Sequence, residues 1–294
     1  MESLHALQKH IETSGKLQSI VKSMKTLSAV NIRQYEQAAH SLDAYQETID
    51  SGLQAVIRET GLPNSGSEAG TLQGLVVFGS DQGLCGRFNE KLVEFLQKNQ
   101  ASTKTQQPPC VLVSGARIAA RLEAAGHKLT KTLWSPGSLA GVNRHVYEII
   151  LILHRWRQKP GMKRIDLFFN HYESGSGGLP SQIPLLPLDN QRLRELMQKK
   201  WPGRSLPYNA APPNKLFSAL IQQYLFVTIY RAQVQSLASE QASRLLSLQQ
   251  AEKNIQEHLE ELTGRYRNVR QSVITSELLD LVAGFRTVAG NTLS

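Results

Sequence analysis

Proline is missing from both ends of this chain. All 12 prolines of its 294 residues fall between Pro63 and Pro213. A proline inside a helix costs about 3 kcal/mol, so both ends are free to be helical while the middle is punctuated. Cysteine is scarce too. Cys85 and Cys110 are too few for a disulfide framework and lack metal-ligating companions at close spacing, which fits a reducing compartment. No apolar run nears the roughly 18–20 residues that span a bilayer; the best, "YEIILIL" (Tyr147–Leu153), is far too short. The opening residues "MESLHALQKHIETS" have neither a signal peptide's apolar core nor the Arg-rich, acid-poor character of a transit peptide. A soluble chain, working where it is made, is the expectation.

Recognisable catalytic sets are absent as well. The stretch "VVFGSDQGLCGRFN" (Val76–Asn89) has the layout of a phosphate-binding turn, an apolar run followed by Gly79, Gly83 and Gly86. Yet it lacks the Lys-Ser/Thr of GxxxxGK[ST] and the spacing of GxGxxG, the two patterns that place backbone amides around phosphate. Cys85 inside it has no histidine nearby in sequence to activate it as a nucleophile, and packing is the plainer reading. The eight histidines form no HExxH and no clustered metal set, and no GxSxG occurs. The expectation is no catalytic residue, no cofactor and no metal.

The net charge is +9, and its distribution decides what it means. Residues 1–60 hold 6 Lys/Arg against 7 Asp/Glu, residues 214–294 hold 8 against 7, and the middle holds 19 against 10. A spread of this kind suits a solvated face, with an acidic partner or an anionic surface as the sharper alternative.

What is present is a helical period at each end. Tyr35, Ala38, Leu42, Tyr45 and Ile49 step by three and four, as do Leu17, Ile20, Met24 and Leu27. The C-terminal arm repeats this at Val227, Tyr230, Val234 and Leu237, then at Ile255, Leu259, Leu262, Tyr266, Val269 and Val273. Such narrow apolar stripes meet another helix. Gly15 and Gly52 weaken the first arm by roughly 1 kcal/mol each and suggest fraying or a bend. A single helix over residues 214–285 would be roughly 110 Å long, more than a compact domain of this size can cover. The economical architecture is an antiparallel coiled coil of the two chain ends, residues 1–60 and 214–294, around a middle domain over 61–213.

That middle alternates as an α/β domain does. Residues 72–79, 110–115 and 164–172 read as buried strands. Phe88–Leu92–Phe95, Ile118–Leu122–Ala125 and Val146–Ile149–Leu153–Trp156 repeat at helical spacing between them. A Gly/Pro-rich stretch (174–189) reads as a loop, and residues 201–214 link to the long helix.

Polar residues crowd the arms near their free ends. Residues 16–33 carry four positive charges and no acid, and residues 266–282 place Arg267, Arg270, Gln271, Thr275 and Glu277 around an apolar seam. Either these are ordinary solvated faces or a partner encloses them.

These residues carry a resemblance. Ser239-Glu240 with Arg244, then Tyr266, Arg270-Gln271, Ile274-Thr275, Glu277-Leu278 and Gly284 resemble, in order, the C-terminal motifs of the gamma subunit of F-type ATP synthases. "IETSGKLQSIVKSMKTLSA", with Met24-Lys25 at its centre, is similar to the family's first helix. "SDQGLCGRFN" resembles its SDRGLCGGLN, and "IDLFFNHYESGSGGLPSQIPLLPL" its strand, loop and short LLP. The matches span nearly the whole chain. Departures occur at Gln18-Ser19-Ile20, where basic residues thin out, at Arg87 in place of glycine, and at Asn209 and Ala210 after Tyr208. No chloroplast-type insert with paired cysteines is present. A bacterial or archaeal member, with a divergent second ATPase type left open, fits this pattern.

The resemblance implies a coiled coil with a Rossmann-like central domain, acting as the non-catalytic rotor shaft. Its partners would be the alpha and beta subunits of the head, the epsilon subunit and the membrane c-ring, with no nucleic acid and no small-molecule substrate of its own. Its place would be peripheral, on the cytoplasmic side of a bacterial plasma membrane. Arg270, Gln271, Thr275 and Glu277 become the candidates for beta-subunit contacts, with Met24, Lys25, Glu240 and Arg244 lower on the shaft. Ser272, Ser276 and Ala283 would keep friction low. Two rivals stand beside this reading: a free-standing coiled-coil scaffold, and a small-molecule enzyme built on the Gly79–Gly86 loop.

Overall fold

The computed structural model describes residues 3–61, 71–101, 108–173, 178–188, 190–201 and 211–291, without the side chains of 101, 190 and 283–291. The start of the 174–189 stretch, residues Tyr208, Asn209 and Ala210, and the side chain of Ala283 lie outside the described residues. Two helices frame the chain: α1 (Leu4–Thr60) and α6 (Pro213–Asn291). The strands are β1 (Leu72–Phe78), β2 (Cys110–Ser114), β3 (Lys131–Leu133), β4 (Met162–His171) and β5 (Leu179–Leu186). Between them lie α2 (Phe88–Ala101), α3 (Ala116–Ala124), α4 (Leu139–Arg157) and α5 (Asn190–Gln198). Among the described residues, no helix is long and apolar enough to cross a membrane.

The chain divides into two compact units, Ser28–Leu246 and Met1–Leu27 with Ser247–Ser294. The larger unit holds a five-stranded sheet in the order β3-β2-β1-β4-β5. The first four strands run parallel and β5 runs antiparallel to β4. Strand residues alternate between faces with the period of two that a pleated strand imposes. Leu75, Val77, Val111, Val113 and Phe168 pack under α2 and α3. Val76, Phe78, Leu112, Leu167 and Phe169 pack under α4 and the inner stretch of α6. Beyond the sheet, α5 closes a third core in which Leu193 meets Ile49, Leu53 and Ile57 of α1 and Tyr224 of α6. There Arg192 lies 5.1 Å over the Tyr224 ring and 3.5 Å from the Asp50 carboxylate.

Sequence reading missed β3, β5 and α5. The stretch read as a loop over 174–189 is in large part β5, whose Pro180 and Pro184 pair with Asn170 and Asp166 of β4. Proline donates nothing to a ladder, so it is tolerated on an edge strand and blunts that edge against further pairing. Three residues long, β3 is too short to show a period. Nor do the glycines of α1 break it. Gly52 sits where a side chain of α6 approaches closely, since a Cβ there would lie 2.9 Å from a Leu220 methyl.

Gly79, where β1 ends, has a steric reason. A Cβ on it would lie 2.3 Å from Ile118 Cγ2, a distance van der Waals repulsion forbids. Gly79→Ala should therefore destabilise the chain by about 1–3 kcal/mol. Shortening the obstacle with Ile118→Ala in the same chain should cost less than the two single changes added together; urea unfolding of the four chains measures this coupling.

Candidate functional site

In an open α/β sheet, ligands bind outside the carboxyl ends of the strands where the winding reverses. Here that point lies between β1 and β4, and the Gly79–Gly86 loop follows β1 directly. The crevice is occupied by the chain itself. Ser236 of α6 donates its hydroxyl to the Phe78 carbonyl (3.3 Å), and Gln235 lies 3.1 Å from His171 at the end of β4. Arg244 donates from Nε and Nη2 to the Gly83 carbonyl, 3.4 Å each. Gly178 approaches so closely that a Cβ would stand 1.7 Å from Ser239 Oγ. Small residues make this possible: Ala232, Ser236, Ala238, Ser239, Ala242 and Ser243 are all buried.

Three backbone amides in and beside this loop already donate to the chain. The Gly79 N–H bonds to the Ser114 carbonyl (2.8 Å) and the Phe88 N–H to the Cys85 carbonyl (3.3 Å). The Ser80 N–H donates to Asn89 Oδ1 (3.1 Å), and Asn89 Nδ2 returns a bond to Ser80 Oγ (2.8 Å). Asp81 accepts from the Ala116 N–H at the start of α3 (2.7 Å) and from the Ser135 N–H (2.8 Å). Its acidity therefore fixes a helix start and a strand end. Of the three glycines expected to permit the turn, only Gly86 has a left-handed φ, 56°; the other left-handed residue is Leu84, at 62° and 57% exposed. Cys85 is buried with its sulfur 3.6 Å from Ser80 Oγ, and burial pushes its thiol above the usual range. A buried thiol held in its neutral form is a packing residue, not a nucleophile.

Glu240 and Arg244, expected on a contact surface, are inside. Their side chains are 8% and 5% exposed and join at 2.6 Å across one helical turn. Burial raises the Glu240 carboxyl above its ordinary value, and Arg244 draws it back only in part. Sequence showed the i,i+4 spacing; the missing signal was the ring of small residues around it, which marks a helix stretch enclosed on all sides.

The smaller unit pairs α1 and α6 antiparallel. Gln18 Nε2 donates to Gln256 Oε1 (2.7 Å), and two turns further along α1, one along α6, Lys25 pairs with Glu252. The covered stripe of α1 runs through Leu7, Ile11, Ser14, Gln18, Val21 and Lys25. This corrects the stripe read from sequence: Leu17, Ile20 and Leu27 are 50%, 55% and 61% exposed, and Met24 sits at the flank. Polar residues at three seam positions hid the true phase. On α6 the stripe at Ile255, Leu259, Leu262, Tyr266 and Val269 is covered, but every residue from 270 to 282 is exposed. Arg270, Gln271, Thr275 and Glu277 all stand there, with Thr275 donating its hydroxyl back to the Gln271 carbonyl. So do Ile274, Leu278, Leu279, Leu281 and Val282, 45–64% exposed. Among the described residues nothing covers them.

A family model described as ATP synthase matches residues 3–288. The chain belongs to this family, as a gamma chain. The ATP synthase gamma chain of Buchnera aphidicola subsp. Diuraphis noxia is 25% identical over 297 residues, covering 98% of this chain and 99% of the relative. That of Salinibacter ruber (strain DSM 13855 / M31) is 24% identical over 306 residues, covering 97% of each. A chain in the rotor of the Euglena gracilis mitochondrial ATP synthase, seen by cryo-EM, shares the fold with a TM-score of 0.63. Identity there is 16%, with 92% of this chain and 98% of that one covered. A chain in the central stalk and c-ring of the Tetrahymena thermophila mitochondrial enzyme gives 0.57 at 18% identity, covering 79% and 99%.

The buried ion pair of this gamma chain is open to test. Arg244→Ala leaves Glu240 enclosed without a partner and should cost about 3–5 kcal/mol, whereas replacing both by methionine should cost far less. The raised Glu240 carboxyl means the folded chain holds a proton that the unfolded chain releases above about pH 4.3. Its contribution is present below that pH and fades as pH rises through the folded value. Arg244→Ala raises that value further, so its deficit against wild type in urea melts should widen from about pH 5 to about pH 8.

Proposed function

We infer that this gamma chain is the central-stalk rotor of a rotary ATP synthase, turning inside the ring of alternating alpha and beta subunits that holds the catalytic nucleotide sites. Residues 1–60 and 214–294 form the shaft and residues 61–213 its foot, where the epsilon subunit and the membrane c-ring attach, on the cytoplasmic side of a bacterial plasma membrane. One observation carries the reading. The final described turns of α6 leave α1 behind and expose a dense set of apolar side chains, Ile274, Leu278, Leu279, Leu281 and Val282. An apolar surface of that kind marks a site for a partner, and the enclosing ring supplies one. The stripe of Leu17, Ile20 and Leu27 on α1 belongs to the same surface.

The mechanism follows from symmetry. A single asymmetric rod inside a three-fold ring makes three chemically identical sites inequivalent, so its angle selects which beta subunit is open. Rotation and nucleotide affinity are then linked by a coupling free energy, reciprocal between the two ends. Arg270, Gln271, Thr275 and Glu277, exposed among the apolar residues, are the polar contacts to the beta subunits. Met24 and Lys25 contact the ring lower on the shaft. Glu240 and Arg244 would act on a partner only through the Gly83 loop that they hold. The near-balanced charge of both arms and the short Ser272 and Ser276 suit a surface that must pass three subunits in turn.

Arg270→Ala with Gln271→Ala should slow ATP hydrolysis by a head reconstituted with this chain several-fold, for a coupling loss on the order of 1–3 kcal/mol. Both positions are exposed, so circular dichroism of the variant should match wild type. Unchanged turnover and unchanged coupling would remove these residues from the contact. A chain that self-associates and fails to copurify with alpha and beta subunits would be a scaffold instead.

A further inference from the structure

Away from the strand-end crevice, α4, the end of β5, α5 and the first turns of α6 in the larger unit line a half-open cavity of about 820 Å³. This lies within the roughly 300–1,000 Å³ typical of small-ligand sites. Its walls are apolar, with Leu153, Leu186, Pro187, Phe217, Ile221 and Phe226 among them. One wall is stiffened by stacked rings: Tyr147 lies 5.1 Å from Phe226, which lies 5.9 Å from Tyr230. Tyr147 and Leu151 stand at the rim, 60% and 61% exposed.

The polar groups are placed unevenly. Ser218, Gln222 and Gln223 are neutral, and no Asp, Glu or Lys lines the cavity. Its one arginine, Arg157, stands with His154 in the last turn of α4. His154 is 3.2 Å from the Gln158 side chain, while among the described residues no carboxylate pairs with Arg157. A largely apolar cleft with a guanidinium in its lining that no described carboxylate pairs has the polarity of an amphiphilic acid. The shape also argues for a small ligand. A folded partner needs about 800 Å² of matching surface from each side, whereas these apolar residues line a concave space between three helices.

We propose that this cavity is a binding site for a free long-chain monocarboxylate, its hydrocarbon tail against Phe217, Ile221 and Phe226 and its carboxylate accepting hydrogen bonds from Arg157. The site lies apart from residues 270–282, in and beside the part of the chain read as the foot. Binding is therefore measured on the free chain, where its failure leaves the rotor assignment untouched.

The full chain titrated with cis-parinaric acid, below the concentration at which the acid forms micelles, should show saturable one-to-one binding by the fluorescence of the probe. Arg157→Gln should weaken the acid about tenfold, the loss of a charged hydrogen bond. The neutral methyl ester should bind wild type and Arg157→Gln equally. Gln222→Trp, an exposed position at the cavity, should block both ligands. Both substitutions fall on exposed side chains, so the fold is retained. Non-saturable uptake, or acid binding indifferent to Arg157→Gln, overturns the proposal. So does loss of the probe when the chain assembles with its partner subunits, which would give the cavity to a protein contact.

Discussion

The passage of α6 along the ends of β1 and β4 is the packing on which the rest of this structure depends. From Ala232 to Arg244 that helix is covered on nearly every side. A helix can be enclosed in this way only if its surface is narrow and its polar groups are answered. Alanines and serines supply the first condition. The second is largely met inside the chain, by Ser236 on the Phe78 carbonyl, by Arg244 on Glu240 and by the same arginine on Gly83, while Gln233 Oε1 stays buried without a partner among the described residues. The buried pair contributes little net energy beside an apolar pair of equal size. What ties it to register is Arg244: the two side chains share one helix and move together, so a shift of α6 by one residue would keep the pair but take Arg244 off the Gly83 carbonyl.

The same packing explains why a sheet of nucleotide-binding type has no nucleotide role evident in this chain. The reversal point between β1 and β4 is the place where such sheets usually hold a ligand. In this chain it holds a helix, and the loop that resembles a phosphate cradle directs its amides to Ser114, Asn89 and Cys85. The loop is thereby turned from a binding element into a joint between the sheet and α6. Leu84, held at a left-handed φ, turns its side chain to solvent, as Gln82 and Arg87 do. Along its length α6 thus passes from near-complete enclosure at 232–244 to full exposure at 270–282.

Much of this was legible in the chain, and the misses have physical causes. The heptad period of both arms could be read, but its phase in α1 could not. Ser14, Gln18 and Lys25 take seam positions because Gln256 and Glu252 across the pair answer two of them, while Leu17, Ile20 and Leu27 stay outside. Hydrophobic pattern assumes that apolar residues face the partner within the chain. It fails here because apolar side chains also stand outside the seam, exposed. Strand β5 was hidden by Pro180 and Pro184, which are tolerated at an edge and nowhere else in a sheet. Glu240 and Arg244 had the spacing of a solvent-facing pair, and only the neighbours decided otherwise.

By itself the sequence determined the helical ends, the α/β middle and the family, because each rests on local spacing along one chain. Tertiary structure decided which face of each helix is inside, that α6 fills the strand-end crevice, and that a cavity opens between α4 and α6. Those outcomes depend on what stands opposite each side chain. Opposing surfaces come from segments as far apart as Phe78 and Ser236 or Gln18 and Gln256, and no local period records that meeting.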